Sequence, residues 1–162
     1  MRKVGKGCFL LFLSMFFLAF QSVNLDRSAF YKALSGSSEI AIDPVLRKLE
    51  EGKASAESDA FTGALRMKKA GFVKGAGNKV KMFKSGALLL EAQIKSFPKN
   101  VEYRFLRLSI QEHAPKILKY NKNLEEDKKI IISGYTSMDP DLKKVIKNYA
   151  SSSKIINQDD LK

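Results

Sequence analysis

The chain has 162 residues, with 29 lysines and arginines against 17 acidic side chains, one histidine and one cysteine, for a formal net charge of +12. One cysteine excludes an internal disulfide framework, and so few cysteines and histidines exclude an ordinary structural zinc site, which needs about four ligands. The basic balance fits an acidic partner or an anionic surface. Its lysines fall in nearly every segment, with no basic run and no interleaved aromatics, so nucleic acid is the partner class it fits least.

Residues 1–7 carry Arg2, Lys3 and Lys6, and residues 8–20 are apolar apart from Ser14. A basic start followed by so short an apolar run reads as a secretory signal peptide, because a spanning helix needs about 20 apolar residues. Cleavage is expected near Gln21 or Ser22, although Ala19-Phe20-Gln21 matches the A-x-A pattern only at its first position; an uncleaved signal anchor is the alternative. Cys8 stands at the start of the apolar run and not after small residues at its end, which does not indicate a lipoprotein. The expectation is a leader over 1–21 and one helical domain over 22–162, exported from a Gram-negative cell and periplasmic or secreted. Without Arg2, Lys3 and Lys6 the charge falls from +12 to +9.

Downstream, apolar residues recur at helical spacing, and the expected fold class is all-α: about six or seven helices arranged as hairpins in a small bundle. Residues 26–35 place Ala29, Phe30, Ala33 and Leu34 on one side and stop at Gly36. The next stripe is Ile40, Ile42, Val45, Leu46 and Leu49, with Asp43-Pro44 as N-cap and first turn and Gly52 as the end. Within 57–73, Ala60, Ala64, Met67 and Gly71 form a small-residue face, flanked by Phe61 and Leu65, that lets another helix come close. Residues 74–78 (KGAGN) form a turn by composition, and no Gly-Lys-Ser/Thr follows to make Gly75 and Gly77 a phosphate loop. Residues 79–97 are the strongest amphipathic segment, with Val80, Phe83, Ala87, Leu90, Ile94 and Phe97 in steps of three and four, widened by Met82 and Leu89. Gly86 inside it costs up to ~1 kcal/mol relative to alanine, which points to close packing there.

Pro98-Lys99-Asn100 turns the chain, with Asn100 as N-cap of a central helix over 100–113. That helix is apolar on two opposite sides: Val101, Phe105 and Leu108 on one, Tyr103, Leu106 and Ile110 on the other. Such a helix is sandwiched between neighbours, and the short turn sets 79–97 antiparallel against it. Residues 91–108, EAQIKSFPKNVEYRFLRL, resemble the boundary between two tetratricopeptide repeats, where proline breaks one helix and Asn-x-Glu opens the next. Leu108 stands where a small residue is expected and no second copy follows, so the resemblance implies helix-hairpin geometry only. The EYR-FLRL-IQE-AP run also resembles small exported all-helical proteins of Bacteroidota, which implies this architecture and no function.

Pro115 ends or kinks the central helix, and 116–120 read as a single turn leading into a polar loop. Asn123 and Glu126 match a capping box, opening a helix that holds Ile130, Ile131, Ile132 and Tyr135. Asp139-Pro140 starts the last helix, with Leu142, Val145, Ile146 and Tyr149 as its face. Residues 151–162 are polar and expected to fray.

Between the two stripes of the central helix run two polar strips, Arg104/Arg107/Gln111 and Glu102/Ser109/His113. Arg104 and Arg107 form a ridge that either grips a carboxylate or phosphate of a ligand or pairs with a neighbouring helix. Glu112 falls on the first apolar stripe. It either snorkels out at the helix end or is held by a basic or hydroxyl partner: Arg47, Arg66, Lys116 or a tyrosine hydroxyl. Arg104, Arg107, Gln111 and Glu112 are therefore the candidate binding residues. Ser109 and His113 with Glu102 resemble a triad only superficially, since residues four apart on one helix both point outward and no oxyanion loop is present. Glu125, Glu126 and Asp127 lie in a first helical turn, where acidic residues offset the macrodipole. No catalytic residue, metal or cofactor is expected. Two functions fit: a module binding a protein or peptide, whose basic charge also suits the anionic envelope surface, and an α-helical carrier of a lipid or small ligand lined by Met67, Met82, Phe83 and the isoleucines.

Overall fold

Most helices start where a short polar side chain takes up a free backbone N–H. The structure, a computed structural model, describes residues 26–162; the leader expected over 1–21, its cleavage site and Cys8 lie outside the described residues. Asp26 accepts from the Ala29 N–H at 2.9 Å and opens α1, Arg27–Ser35. Ser38 opens α2, Glu39–Glu51. Ser55 and Ser58 cap each other's backbone at 3.0 and 2.9 Å to open α3, Ala56–Lys69. Helix α4, Ala76–Ser96, follows Gly75, whose φ of +83° is the left-handed region that glycine tolerates. Asn100 accepts from the Tyr103 N–H at 3.1 Å and opens α5, Val101–His113. Two more helices follow, α6 at Leu124–Gly134 and α7 at Pro140–Ala150, the latter capped by Asp139. Among the described residues the fold is all-α, with seven α-helices, short single turns and no strand.

Four local expectations change. Helix α2 begins at Ser38 rather than Asp43, and Pro44 lies inside it. Proline there removes one bond, to the Ile40 carbonyl. Pro44 is exposed and Ile40 is 85% exposed, so water can serve that carbonyl. Helix α3 ends at Lys69, short of Val73, where the chain turns through the Gly71 and Phe72 N–H bonds to the Lys68 and Lys69 carbonyls, and α4 starts inside the expected KGAGN turn, directly after Gly75. Asn123 makes no capping bond; its side chain and N–H face Gln111 instead, at 3.4 and 3.3 Å. The tail does not fray. Ile156 is fully buried, Lys128 pairs with Asp160 at 2.9 Å, and Gln158 donates to the Lys147 carbonyl at 3.3 Å.

Helices α3 and α4 form the tightest pair. A Cβ on Gly63 would stand 2.7 Å from the Gly86 carbonyl oxygen, and one on Gly86 would stand 2.5 Å from that of Gly63. The two backbones touch there, which is what the helix-interior Gly86 provides in return for its poor propensity. Ala60, Ala64 and Met67 are buried on this face, as their spacing implied.

Helix α5 divides two apolar cores. Tyr103, Leu106 and Ile110 join Phe30, Phe61, Leu65 and Leu90 in the first, where Phe30 and Phe61 stack with ring centroids 4.0 Å apart. Phe105 and Leu108 join Ile131, Leu142, Ile146 and Ile156 in the second, with Val101 against it. The two stripes of the sequence are the two walls. Helices α4 and α5 are antiparallel, with Phe97 against Tyr103 and Glu91 against Arg107. Helix α6 returns antiparallel along α5, pairing Asn123 with Gln111 and Asp127 with Arg107.

Candidate functional site

Nine of the thirteen residues of α5 are buried, including Glu102, Arg104, Arg107 and Gln111. The arginines lie between α4 and the first turn of α6. Arg107 grips Asp127 with both Nε and Nη2 at 2.7 Å and sends Nη1 to Glu91, also at 2.7 Å. Arg104 bonds the Pro98 carbonyl at 2.9 Å, Glu126 at 2.7 Å and Asp127 at 3.0 Å. Asp127 is fully buried. Tyr120 closes the group by donating to Glu91 at 2.7 Å.

Burial alone would lower the affinity of Arg107 for its proton, but the bonds and charges of Asp127 and Glu91 outweigh it and hold the guanidinium above its ordinary value. Burial and the Glu91 bond together push the Tyr120 hydroxyl well up, so it stays protonated as a donor. The Glu126 carboxyl is held below its ordinary value by Asn123 and Arg104. Two guanidiniums thus face three carboxylates, and no positive charge is left over for an incoming anion. The neighbour-helix ion pair is the arrangement formed. Gln111 stands at the edge of the same group, on Asn123.

Glu112 is separate from the arginines. It is half-buried and accepts from the Tyr149 hydroxyl, from the Ser153 hydroxyl at 2.7 Å and from the Lys154 N–H at 2.6 Å. The partner is therefore hydroxyl and backbone, not Arg47, Arg66 or Lys116. Burial pushes the carboxyl up, yet the three donors prevail and its pKa lies below the ordinary value. Burial and the carboxylate push the Tyr149 hydroxyl up. The four candidate residues consequently form two clusters, a closed ionic one facing α6 and a latch that ties the tail to the end of α5.

The triad-like strip disperses. Ser109 donates to the Leu106 carbonyl at 2.9 Å, and the His113 Nδ1 lies 2.9 Å from the Ser109 carbonyl oxygen. Glu102 is occupied by Tyr31, at 2.6 Å, and by Arg27. Among the described residues, no group of three or more His, Cys, Asp or Glu is placed to hold a metal ion, and no helix is long and apolar enough to cross a membrane. A small cleft of about 60 Å³ lies at the α2–α3 turn, lined by Lys48, Leu49, Gly52 and Ser55. A wider, open depression beside it is lined by Pro44, Arg47 and Glu51. Met67 and Phe83, expected to line a cavity, are packed in the first core.

The feature missed in the sequence is a basic face. The lysines are spread along the chain, but the acids are not. From Arg66 to Lys99 stand nine basic side chains and one acid, Glu91, a net of +8, while the whole excess over the described residues is +9. Arg66 pairs with Glu50 at 2.9 Å and Lys69 with Asp43 at 2.6 Å, so two of the three bases of α3 are answered by α2, and Lys68 is half-buried. Lys79 donates to the Gly71 carbonyl at 2.9 Å. The ammonium groups of Lys74, Lys81, Lys84, Lys95 and Lys99 are exposed and meet no carboxylate among the described residues. At about 100° per residue, Lys81, Lys84, Leu88, Ala92 and Lys95 share the outer side of α4. Leu88 in their midst is 73% exposed. Net charge counted in windows, rather than lysines alone, would have found this face.

No protein-family model, curated protein or solved structure matches the chain.

Proposed function

We propose that this protein is an exported helical module that binds a protein or peptide partner through the outer face of α4, its role being recognition rather than catalysis. One observation carries the reading: Lys81, Lys84 and Lys95, which meet no carboxylate among the described residues, share one face of α4 around an exposed leucine. An apolar centre within a polar rim is the usual anatomy of a protein-binding surface. Arg104 and Arg107, by contrast, are occupied within the fold. Export to the periplasm or the cell exterior rests on the basic and then apolar leader of residues 1–20.

The carrier reading calls for an apolar cavity between the two layers. The space between them holds the side chains of α5, and the two clefts described above lie at the end of α2. The interaction module is the better-supported of the two.

The test is a photo-crosslinking amino acid in place of Leu88, with a control in place of Asn148 on α7, in the full chain expressed in its own cells. A defined protein adduct from position 88 and none from 148 supports the reading. Equal adducts from both positions, or lipid adducts alone, would overturn it.

A further inference from the structure

We infer that the partner segment docking on α4 is acidic, with carboxylates on either side of an apolar side chain that rests on Leu88 and Ala92. This rests on the interaction-module reading and adds the chemistry of the partner. Lys81 and Lys84 lie on one side of Leu88 and Lys95 on the other, and the row from Lys81 to Lys95 spans about 21 Å at 1.5 Å per residue. The outer face of α4 between them holds no acid, because Glu91 is turned aside to Arg107 and Tyr120. An acidic segment along this row would meet cations at both ends and a shallow apolar seat in the middle, where Ala92 leaves room beside Leu88. The loop over 115–122 extends the same charge. Tyr120 fastens it to the flank of α4, against Phe83 with ring centroids 5.3 Å apart, and it bears Lys116, Lys119 and Lys122, all exposed.

An anionic membrane is the other macromolecular surface that attracts lysines, and the geometry favours it less. A helix that binds a bilayer surface buries a whole apolar face in it. Leu88 is shorter than the lysines that flank it, and the apolar face of α4 is turned inward, with Phe83, Leu90 and Ile94 buried. A partner side chain can reach down to Leu88, whereas lipid would meet the ammonium groups first.

The experiment reads the adduct formed at position 88. Mass spectrometry of the crosslinked peptide is expected to show an acid-rich segment. The adduct yield is expected to fall roughly tenfold in Lys81→Gln/Lys84→Gln/Lys95→Gln, which removes three exposed pairings. It should fall likewise in about 1 M salt, where the Debye length is about 3 Å. In vitro, poly-glutamate should compete for the adduct and phosphatidylglycerol vesicles should not. A neutral or basic crosslinked segment, or a yield that ignores the three lysines, overturns the acidic partner while leaving the interaction module standing. Competition by vesicles and not by poly-glutamate, with lipid in the adduct, overturns both.

Discussion

Two basic regions lie on neighbouring helices and are used in opposite ways. On α5, Arg104 and Arg107 are 6% and 4% exposed; Arg104 is matched to carboxylates of α6, and Arg107 to one of α4 and one of α6. On α4, Lys81, Lys84 and Lys95 stand in water with no carboxylate among the described residues to meet them. A planar fork that can be fixed from two sides is suited to the inside of a helical sandwich, while a flexible, well-hydrated ammonium is suited to a face that stays open. The difference shows that charge becomes available for recognition only after the fold has taken the partners it needs.

The sharpest way to break this comparison is Asp127→Ala. It would leave two buried guanidiniums without their shared carboxylate, and a loss of about 3–5 kcal/mol is expected in chemical denaturation. A loss under about 1 kcal/mol would mean the arginines are not held as described. Close behind come the two walls of the helix that carries them. Phe105→Ala should cost about 3–5 kcal/mol and Leu106→Ala about 2–5 kcal/mol, each opening a cavity in a different core. An unmoved midpoint in either variant would contradict the sandwiched α5.

Much of this architecture was legible because it depends on periodicity. The stripes Val101/Phe105/Leu108 and Tyr103/Leu106/Ile110 follow from spacing alone, and the caps at Asn100 and Asp139 from residue type before a proline or a stripe. Gly86 announced a close approach, but its counterpart Gly63 lies 23 positions away, and nothing local pairs them. The same limit applies to charge. Arg104 and Arg107 were visible as a ridge, yet Asp127 read as a macrodipole residue because its burial depends on α6 folding back along α5. The polar tail hid Ile156 as an anchor for the same reason. The lysine face was obscured differently: local scanning counts cations, and the signal was the absence of acids.

A smaller effect sharpens the contrast between ionic and neutral pairing on α5. Glu112→Gln should destabilise by roughly 1–3 kcal/mol near neutral pH, because three donors lose a charged acceptor. The carboxyl is held below its ordinary value in the folded chain. Its contribution is therefore full above the unfolded-state value of about 4.3 and is lost as pH falls through the lower folded value. Stability measured against pH should lose part of its acid limb in Glu112→Gln. An unchanged acid limb would show that the tail latch does not depend on the charge.

The smallest effect on stability and the largest on recognition are expected together, in Lys81→Gln/Lys84→Gln/Lys95→Gln. Exposed, unpaired lysines contribute within about 0.5 kcal/mol each, and removing like charges from one helix face relieves repulsion. The most direct measurement is the crosslink yield from position 88 in this triple variant, taken once its denaturation midpoint has been shown to be unmoved or raised. The account predicts a folded protein whose adduct yield falls roughly tenfold. A folded protein that still forms the adduct in full would contradict it.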